Sequence, residues 1–404
     1  MSILHDLWRL LPHRFRRRIF ETAVRTSAPE AGPVLDWPDQ DVPIIVAGVL
    51  QAPTGLGEAA RGTLEALRAM GRDVRPFDLT AALRQERIVP LPDLPAPEPG
   101  PGILLVFANP PTSSYALHAI GRPIADGKLK IGSWVWEYAH APERWAQHAG
   151  HFHGLAAPTE LVRQAVSGVT GGPVGRLPYH VPVGQAPLPV LQRPDRLRIG
   201  FIGDIVAAAG RKNPMAVVEA VGRAFGGRGD IAFDMILRGA SAGHPLVRQL
   251  RDRARHFGLA LEVDARLLDT EAHRARLRSF DVFCSLHRAE GFGLTIAEAM
   301  AVGLPVVATR CPAVGEYLDD SVGYPVPWRP VPADPLVDDP SPGMWAEPDI
   351  DAAVAALRAI DANRAEAADR GRLAMKRIEQ RYSASAVTAA LDLLVAEVRA
   401  LSRP

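Results

Sequence analysis

Cysteine is almost missing from this chain: among 404 residues only Cys284 and Cys311 carry a thiol, so there is no disulfide framework, and nothing has metal-ligand spacing. A reducing compartment is the simplest expectation. No run of about eighteen uninterrupted apolar residues occurs, so no membrane-spanning helix is expected. The N-terminus also lacks the apolar core and small-residue cleavage site of a signal peptide, and the expected location is the cytoplasm. An excess of either charge is absent too, and a net charge of +1 gives no case for nucleic acid. What is present is the composition of a folded chain, 47% hydrophobic and 23% charged, which excludes wholesale disorder. Its length suits two domains of roughly 200 residues or less rather than one.

Residues 1–26 read as a basic amphipathic helix or helix pair, broken or restarted at Pro12, with Trp8, Leu10, Leu11, Phe15, Ile19 and Phe20 against a set of arginines. Such a face suits an anionic membrane surface; the alternative is docking on the protein's own surface or on a second subunit. Residues 27–41, rich in Pro, Ala and Asp, read as a linker.

From Val42 the chain alternates strand and helix patterns, which argues for α/β architecture with parallel sheets covered on both faces. Strands are expected at Val42–Leu50, Asp73–Leu79, Gly102–Asn109, Lys130–Glu137, Gly154–Pro158 and Val174–Tyr179. Six prolines in residues 90–101 imply an extended loop. Pro182–Pro194, with four prolines and little periodicity, marks a boundary near residue 190. A second alternating set starts with Leu197–Ile202 and contains the start signal Asn213-Pro214, with Asn213 as helix N-cap. Residues 324–348 read as Pro- and Asp-rich loop, followed by helices near Asp351–Ile360, Glu366–Tyr382 and Ala384–Leu401. The divisions are therefore 1–41, 42–190, 191–383 and 384–404. Trp134, Trp136 and Tyr138 lie at a strand end, where open α/β sheets bind ligands, although Trp134 reads better as core.

Two glycine turns follow strands. In the first, Gly55-x-Gly57-x-x-Ala60 fits a dinucleotide fingerprint, with Asp78 about where a ribose-binding acid belongs, so an NAD(P)-dependent oxidoreductase is one reading. The second is Glu290-Gly291-Phe292-Gly293-Leu294-Thr295-Ile296-Ala297-Glu298-Ala299-Met300, between apolar runs at Asp281–Leu286 and Leu304–Thr309. Its glycines let backbone approach a ligand, and the helix opening at Leu294 and Thr295 offers free N–H groups to an anion. Glu290 sits before the turn and Glu298 on what reads as the first helical turn, spaced E-x7-E. Thr295-x-x-Glu298 is also a capping box, in which Glu298 would serve only the helix start.

The stretch "EGFGLTIAEAMAVGLPVVAT" resembles, nearly throughout, the signature of retaining GT-B glycosyltransferases of family 4, the glycosyl transferases group 1. The resemblance implies two facing Rossmann-like domains, an acceptor side first and a nucleotide-sugar side second, with a central cleft and a last helix crossing back, here Ala384–Leu401. It implies transfer of a sugar from a nucleoside diphosphate to an acceptor hydroxyl, with no cofactor. The acceptor would be a saccharide or lipid-linked saccharide, as in cell-surface polysaccharide synthesis; peripheral contact at the inner face of the membrane is expected from the basic pattern of residues 1–26 instead. It also implies donor contacts from Gly55 and Gly57, from the turn Phe292, Gly293, Leu294 and Thr295, from Glu290 to the sugar and from Glu298 to the ribose.

Two cations, Arg211 and Lys212, stand just before a helix start, electrostatically misplaced unless an anion sits between them and the helix. A diphosphate would serve, and the resemblance assigns one to Lys212. The chain departs from the family pattern twice. Asp204 stands where many relatives have an Arg, so Arg211 is the substitute. Trp136-Glu137 stands where many have a His, making Glu137 a catalytic candidate and His140 a second one. His287 and Arg288 flank the motif and could reach phosphate or acceptor. Asp349-x-Asp351 precedes a helix and reads as a cap rather than a metal site. With these departures, a protein that binds sugar nucleotides without turnover is a third reading.

Overall fold

The computed structural model describes residues 13–36, 42–184, 196–205, 209–240, 243–334 and 343–402. Six strands form the first sheet: β1 Ile44–Gly48, β2 Val74–Asp78, β3 Ile103–Phe107, β4 Leu129–Ser133, β5 Gly154–Ala157 and β6 Val174–Arg176. They are parallel, in the order β2-β1-β3-β4-β5-β6. Every residue of β1 and β3 is buried. Helices cover both faces of the sheet, which is why these strands appear in sequence as unbroken apolar runs rather than alternating ones.

A second parallel sheet repeats the plan with β7 Leu197–Asp204, β8 Ile231–Arg238, β9 Leu261–Asp264, β10 Val282–Ser285, β11 Val306–Thr309 and β12 Tyr324–Val326, ordered β12-β11-β10-β7-β8-β9. Helices Pro214–Phe225 and Ile350–Ala362 pack on each other over this sheet. The core there is built from Phe201, Val217, Val221, Phe233, Met235, Leu250 and Leu357. Elements lie at their sequence positions, with ends shifted by a few residues, except in 324–348. There a third, antiparallel pair forms from β13 Trp328–Pro332 and β14 Met344–Pro348, where loop was expected.

The expected crossing helix is present as Ala384–Ser402. It packs on helix Gly55–Ala69 and against β6 in the first half. Asp392 pairs with Arg72 at 2.8 Å. The glycines at 154 and 175 leave room for Val398 and Leu394, whose side chains occupy the space that a Cβ would need.

Residues 1–12 of the basic segment lie outside the described residues, as do 37–41 of the linker and 185–195 of the boundary. The rest of the basic segment is a helix, His13–Ser27, beginning just after Pro12 and packed on helix Thr112–Ile120. Val24 and Ala28 are buried, and Arg25 donates to Gln147 at 2.7 Å. The expected linker continues this docking: Ala31 N donates to Gly150 O at 3.1 Å, and Val34 bridges to Gly127. Among the described residues no helix is long and apolar enough to cross a membrane.

Candidate functional site

The C-terminal ends of the two sheets face each other across a cleft of about 620 Å³, the position at which open α/β sheets receive ligands. Loops after β1, β2, β3 and β4 form one wall, and loops after β7, β8 and β10 form the other.

The Glu290–Glu298 stretch lies on the second wall. Gly293 has φ +83 and caps helix Leu294–Ala301 through backbone geometry, with no side-chain cap. Tyr317, fully buried, donates its hydroxyl toward the carbonyls of Phe292 and Gly293 at 2.9 and 3.0 Å. Holding those two carbonyls leaves the opposite side of the turn to its N–H groups. Gly291 lies against the first half: a Cβ there would overlap Val135 Cγ2 and stand 2.9 Å from Trp136 O. Its carbonyl accepts from Thr159 Oγ1 at 2.7 Å. This glycine therefore serves the contact between the two halves, as well as any ligand.

The capping-box alternative for Glu298 is not realised. Because the cap is Gly293, Thr295 is the second helical residue and Glu298 the fifth, past the first turn. Its Oε2 lies 3.0 Å from His273 Nε2, on helix Thr270–Arg278, and both side chains line the cleft.

Arg211 and Lys212 end a short helical turn, Ala209–Lys212, and Asn213 then takes φ +50 before helix Pro214–Phe225. Asn213 occupies the expected cap position, but its side chain does not cap; its Nδ2 donates to Leu286 O at 3.0 Å, tying the segment to the end of β10. The anion that the misplaced cations demand is supplied within the chain. Lys212 Nζ lies 2.5 Å from Glu290 Oε1, and Arg211 Nη1 lies 3.3 Å from Glu290 Oε2 and 2.8 Å from Ala289 O. Arg211 Nη2 also pairs with Glu137 Oε1 at 3.2 Å. Two cations and two carboxylates thus meet at the cleft floor. Burial opposes the charge on Glu290, and Lys212 and Arg211 overcome it, holding the carboxyl at about 2. It is an anion at every physiological pH.

Of the other expected site residues, Gly55, Gly293, Leu294 and Thr295 line the cleft. Gly57 does not: it sits against the carbonyls of Val49 and Ala52, and its N–H serves the cap of Thr54. Phe292 offers only backbone, since its ring is buried among Tyr179, Tyr317 and Tyr382, with centroids 5.1–5.9 Å apart. Glu137 lies in the cleft as a salt-bridge partner, whereas His140 is exposed away from it and accepts from Trp136 Nε1 through its carbonyl. His287 is structural: it is fully buried between Ser285 O and Cys311 Sγ, and burial lowers its pKa to about 4. Arg288 pairs with Glu347 at 2.6 Å and lies over the Trp345 ring. Asp349 caps its helix by accepting from Ala352 N, as expected, and Trp134 is core.

Asp78, the acid of the oxidoreductase reading, is turned inward. Its Oδ1 accepts from Leu50 N, Thr80 N and Thr80 Oγ1 at 3.0, 3.1 and 2.5 Å, and it does not line the cleft. Sequence reasoning missed His273, Arg274, Arg238, Asn109 and Tyr179, all of which line the cleft. Arg238 and Asn109 lie at or just past strand ends, a signal that was available. His273 sits on a helix whose apolar pattern carries no such mark.

The model of the Family 4 Glycosyltransferase in conflict systems matches residues 159–391, more than half of the chain. A D-inositol 3-phosphate glycosyltransferase of Paenarthrobacter aurescens is 31% identical over 166 residues, 38% of this chain and 35% of that protein. The matched part thus spans about a third of that relative's length. Among solved structures, sucrose-phosphate synthase of Thermosynechococcus elongatus superposes with TM-score 0.61 at 15% identity, covering 90% of this chain and 100% of that one. The Anabaena protein HepE, in complex with UDP and glucose, gives 0.59 at 12% identity, covering 88% and 99%. At such identities the likeness is one of fold, and the fold is GT-B. The match across the second half and the helices that follow it, together with this fold, places the chain in family 4 of the glycosyltransferases, in the branch found in conflict systems.

Proposed function

We propose that this chain moves a sugar from a nucleoside diphosphate sugar to an acceptor hydroxyl with retention of anomeric configuration, without a divalent metal. The observation that carries the reading is the convergence of Lys212, Arg211 and the start of helix Leu294–Ala301 on one cleft, with Glu290 among them. A diphosphate seated there gains two cations and a helix N-terminus. The same groups oppose the charge that grows on the leaving diphosphate, a task a metal performs in other sites. Glu290, freed in part from Lys212 when phosphate arrives, is placed to accept from a sugar hydroxyl, and Glu298 with His273 from the ribose.

Glu290 and Glu137, the two carboxylates nearest the cations, are both held by them, which blunts either as a nucleophile. Attack from the face the diphosphate leaves therefore fits better than a covalent sugar intermediate. A saccharide acceptor suits the family. Recruitment to an anionic membrane draws less support, because helix His13–Ser27 already packs on the protein itself.

The test is turnover of UDP-, GDP- and ADP-linked hexoses in EDTA, with the anomeric proton of the product followed by NMR. Release of the donor's own anomer supports the proposal. The opposite anomer refutes retention, and activity restored only by magnesium or manganese refutes metal independence.

A further inference from the structure

Tyr179 is buried, with 4% of its surface exposed, yet it lines the cleft, and among the described residues its hydroxyl has no hydrogen-bond partner. Buried hydroxyls are rarely left so, because an unmade hydrogen bond leaves the group's desolvation uncompensated. Its neighbours explain neither packing need nor internal pairing. The ring rests on Phe292 at 5.1 Å and needs no hydroxyl for that contact, while the Glu137 carboxylate lies within electrostatic reach. The hydroxyl oxygen is shielded and unpaired beside the cleft, and a polar group that enters there would satisfy it.

The wall beside it has a definite character. Leu83, Val89, Phe107, Ala108, Pro110 and Val135 make it apolar. Of its two amides, Asn109 donates to Val135 O at 2.8 Å and accepts from Val135 N at 2.9 Å, and Gln85 donates to Leu83 O at 3.5 Å. Among the described residues of the first half, Arg61 is the cleft's one Lys or Arg, and its charge is met within the chain: Nη1 donates to Leu50 O and Ala52 O at 2.8 and 2.9 Å and Nη2 pairs with Glu58, while Nε is buried without a partner. Helix Thr112–Ile120 opens onto the wall without a side-chain cap, which gives a partial positive charge that a hydroxyl oxygen satisfies. The other Lys and Arg side chains of the cleft, Arg211, Lys212, Arg238 and Arg274, come from the opposite wall, and Arg238 spends Nη1 on Pro53 O at 2.5 Å.

We infer that the first-half wall takes an uncharged, hydroxyl-bearing acceptor with an apolar flank, and that the Tyr179 hydroxyl is its hydrogen-bond contact. This rests on the donor occupying the cationic wall, as proposed above. A phosphorylated acceptor would bring about two negative charges to a wall whose charged side chains are already paired, Glu58 with Arg61 and Glu137 with Arg211, leaving only the partial charge of a helix start to oppose the desolvation. The related Paenarthrobacter enzyme, named for an inositol phosphate, would then differ from this chain in acceptor chemistry.

The experiment uses the full chain saturated with whichever of UDP, GDP and ADP binds best, and titrates hexyl β-D-glucopyranoside and glucose 6-phosphate by saturation-transfer NMR and calorimetry. The hexyl glucoside should bind at least tenfold more tightly than the phosphate. Tyr179→Phe should weaken the hexyl glucoside roughly three- to tenfold, with the nucleotide dissociation constant unchanged. Its melting temperature should hold or rise, because the removed hydroxyl has no partner to lose; a structural tyrosine would show the reverse. Equal or tighter binding of glucose 6-phosphate overturns the inference, as does no binding of the hexyl glucoside. If Tyr179→Phe shifts nucleotide-sugar affinity instead, the hydroxyl belongs to the donor. Should none of the three nucleotides bind, the glycosyltransferase reading itself falls and takes this one with it.

Discussion

Changing Glu290 to Gln should make nucleotide binding tighter while making the protein less stable and less active. The sizes follow from the contacts. Lys212 is 2.5 Å from the carboxylate and half-buried beside it, and Arg211 keeps Glu137 and Ala289 O whatever stands at 290. The introduced amide would still accept from Lys212, but as a neutral partner. The loss is the difference between a charged and a neutral hydrogen bond plus a poorly compensated ammonium, about 2–3 kcal/mol. At about 2–4 °C per kcal/mol for a unit of this size, melting should fall by roughly 4–12 °C. The same energy no longer has to be overcome when a diphosphate takes Lys212 from its internal partner. Affinity for the bare nucleoside diphosphate should therefore rise by about tenfold or more, while transfer falls by about a hundredfold through loss of the sugar contact. Paired melting curves, calorimetry and turnover measure all three. An unchanged melting temperature together with weaker nucleotide binding would refute the view of Glu290 as an internal stand-in for phosphate.

Glu298→Gln should weaken nucleotide affinity by roughly ten- to hundredfold, with little change in melting, because Glu298 pairs with His273 and not with the helix start; calorimetry showing unaltered affinity would remove it from the ribose. Gly291→Ala should cost about 1–3 kcal/mol by driving a methyl group into Val135 and the Trp136 carbonyl, and lower turnover by disturbing the contact between halves; full activity and stability would contradict that contact. Acid should destabilise the protein well above the range of its carboxyls. The folded-state pKa of His287, at about 4, lies below the ordinary value of 6.5, so the unfolded chain takes up the proton first. Its stability contribution is whole above pH 6.5 and is lost as pH falls toward 4, worth on the order of 3 kcal/mol at the low end. Melting temperatures flat between about pH 7 and 5 would argue against a buried neutral His287.

Most of the scaffold was legible because parallel strands buried on both faces announce themselves as apolar runs, as in Ile44–Gly48 and Ile103–Phe107. The hairpin of β13 and β14 was not, because Pro330 and Pro332 remove backbone donors and read as loop. A two-stranded ribbon tolerates them, since each residue pairs on one side only. The E-x7-E glutamates and Lys212 were visible through resemblance, but their pairing was not. Glu290 and Lys212 lie 78 residues apart, and only the fold brings that carboxylate to the cations. Asp78 misled for a related reason: its spacing suits a ribose, yet its bonds to Leu50 and Thr80 show a carboxylate holding a turn. Local pattern identifies which residues can act, and long-range contacts decide which of them are already occupied.

The most direct test of the cleft is calorimetric titration of the intact chain with UDP, GDP and ADP in EDTA, beside Lys212→Ala. If Lys212, Arg211 and the helix start form a metal-free diphosphate seat, one of the three nucleotides binds in EDTA. Lys212→Ala should then weaken it by roughly ten- to hundredfold, the value of a charge-assisted contact of about 1.5–3 kcal/mol. Binding by none of them, binding only with a divalent cation, or binding equal in Lys212→Ala would contradict the site.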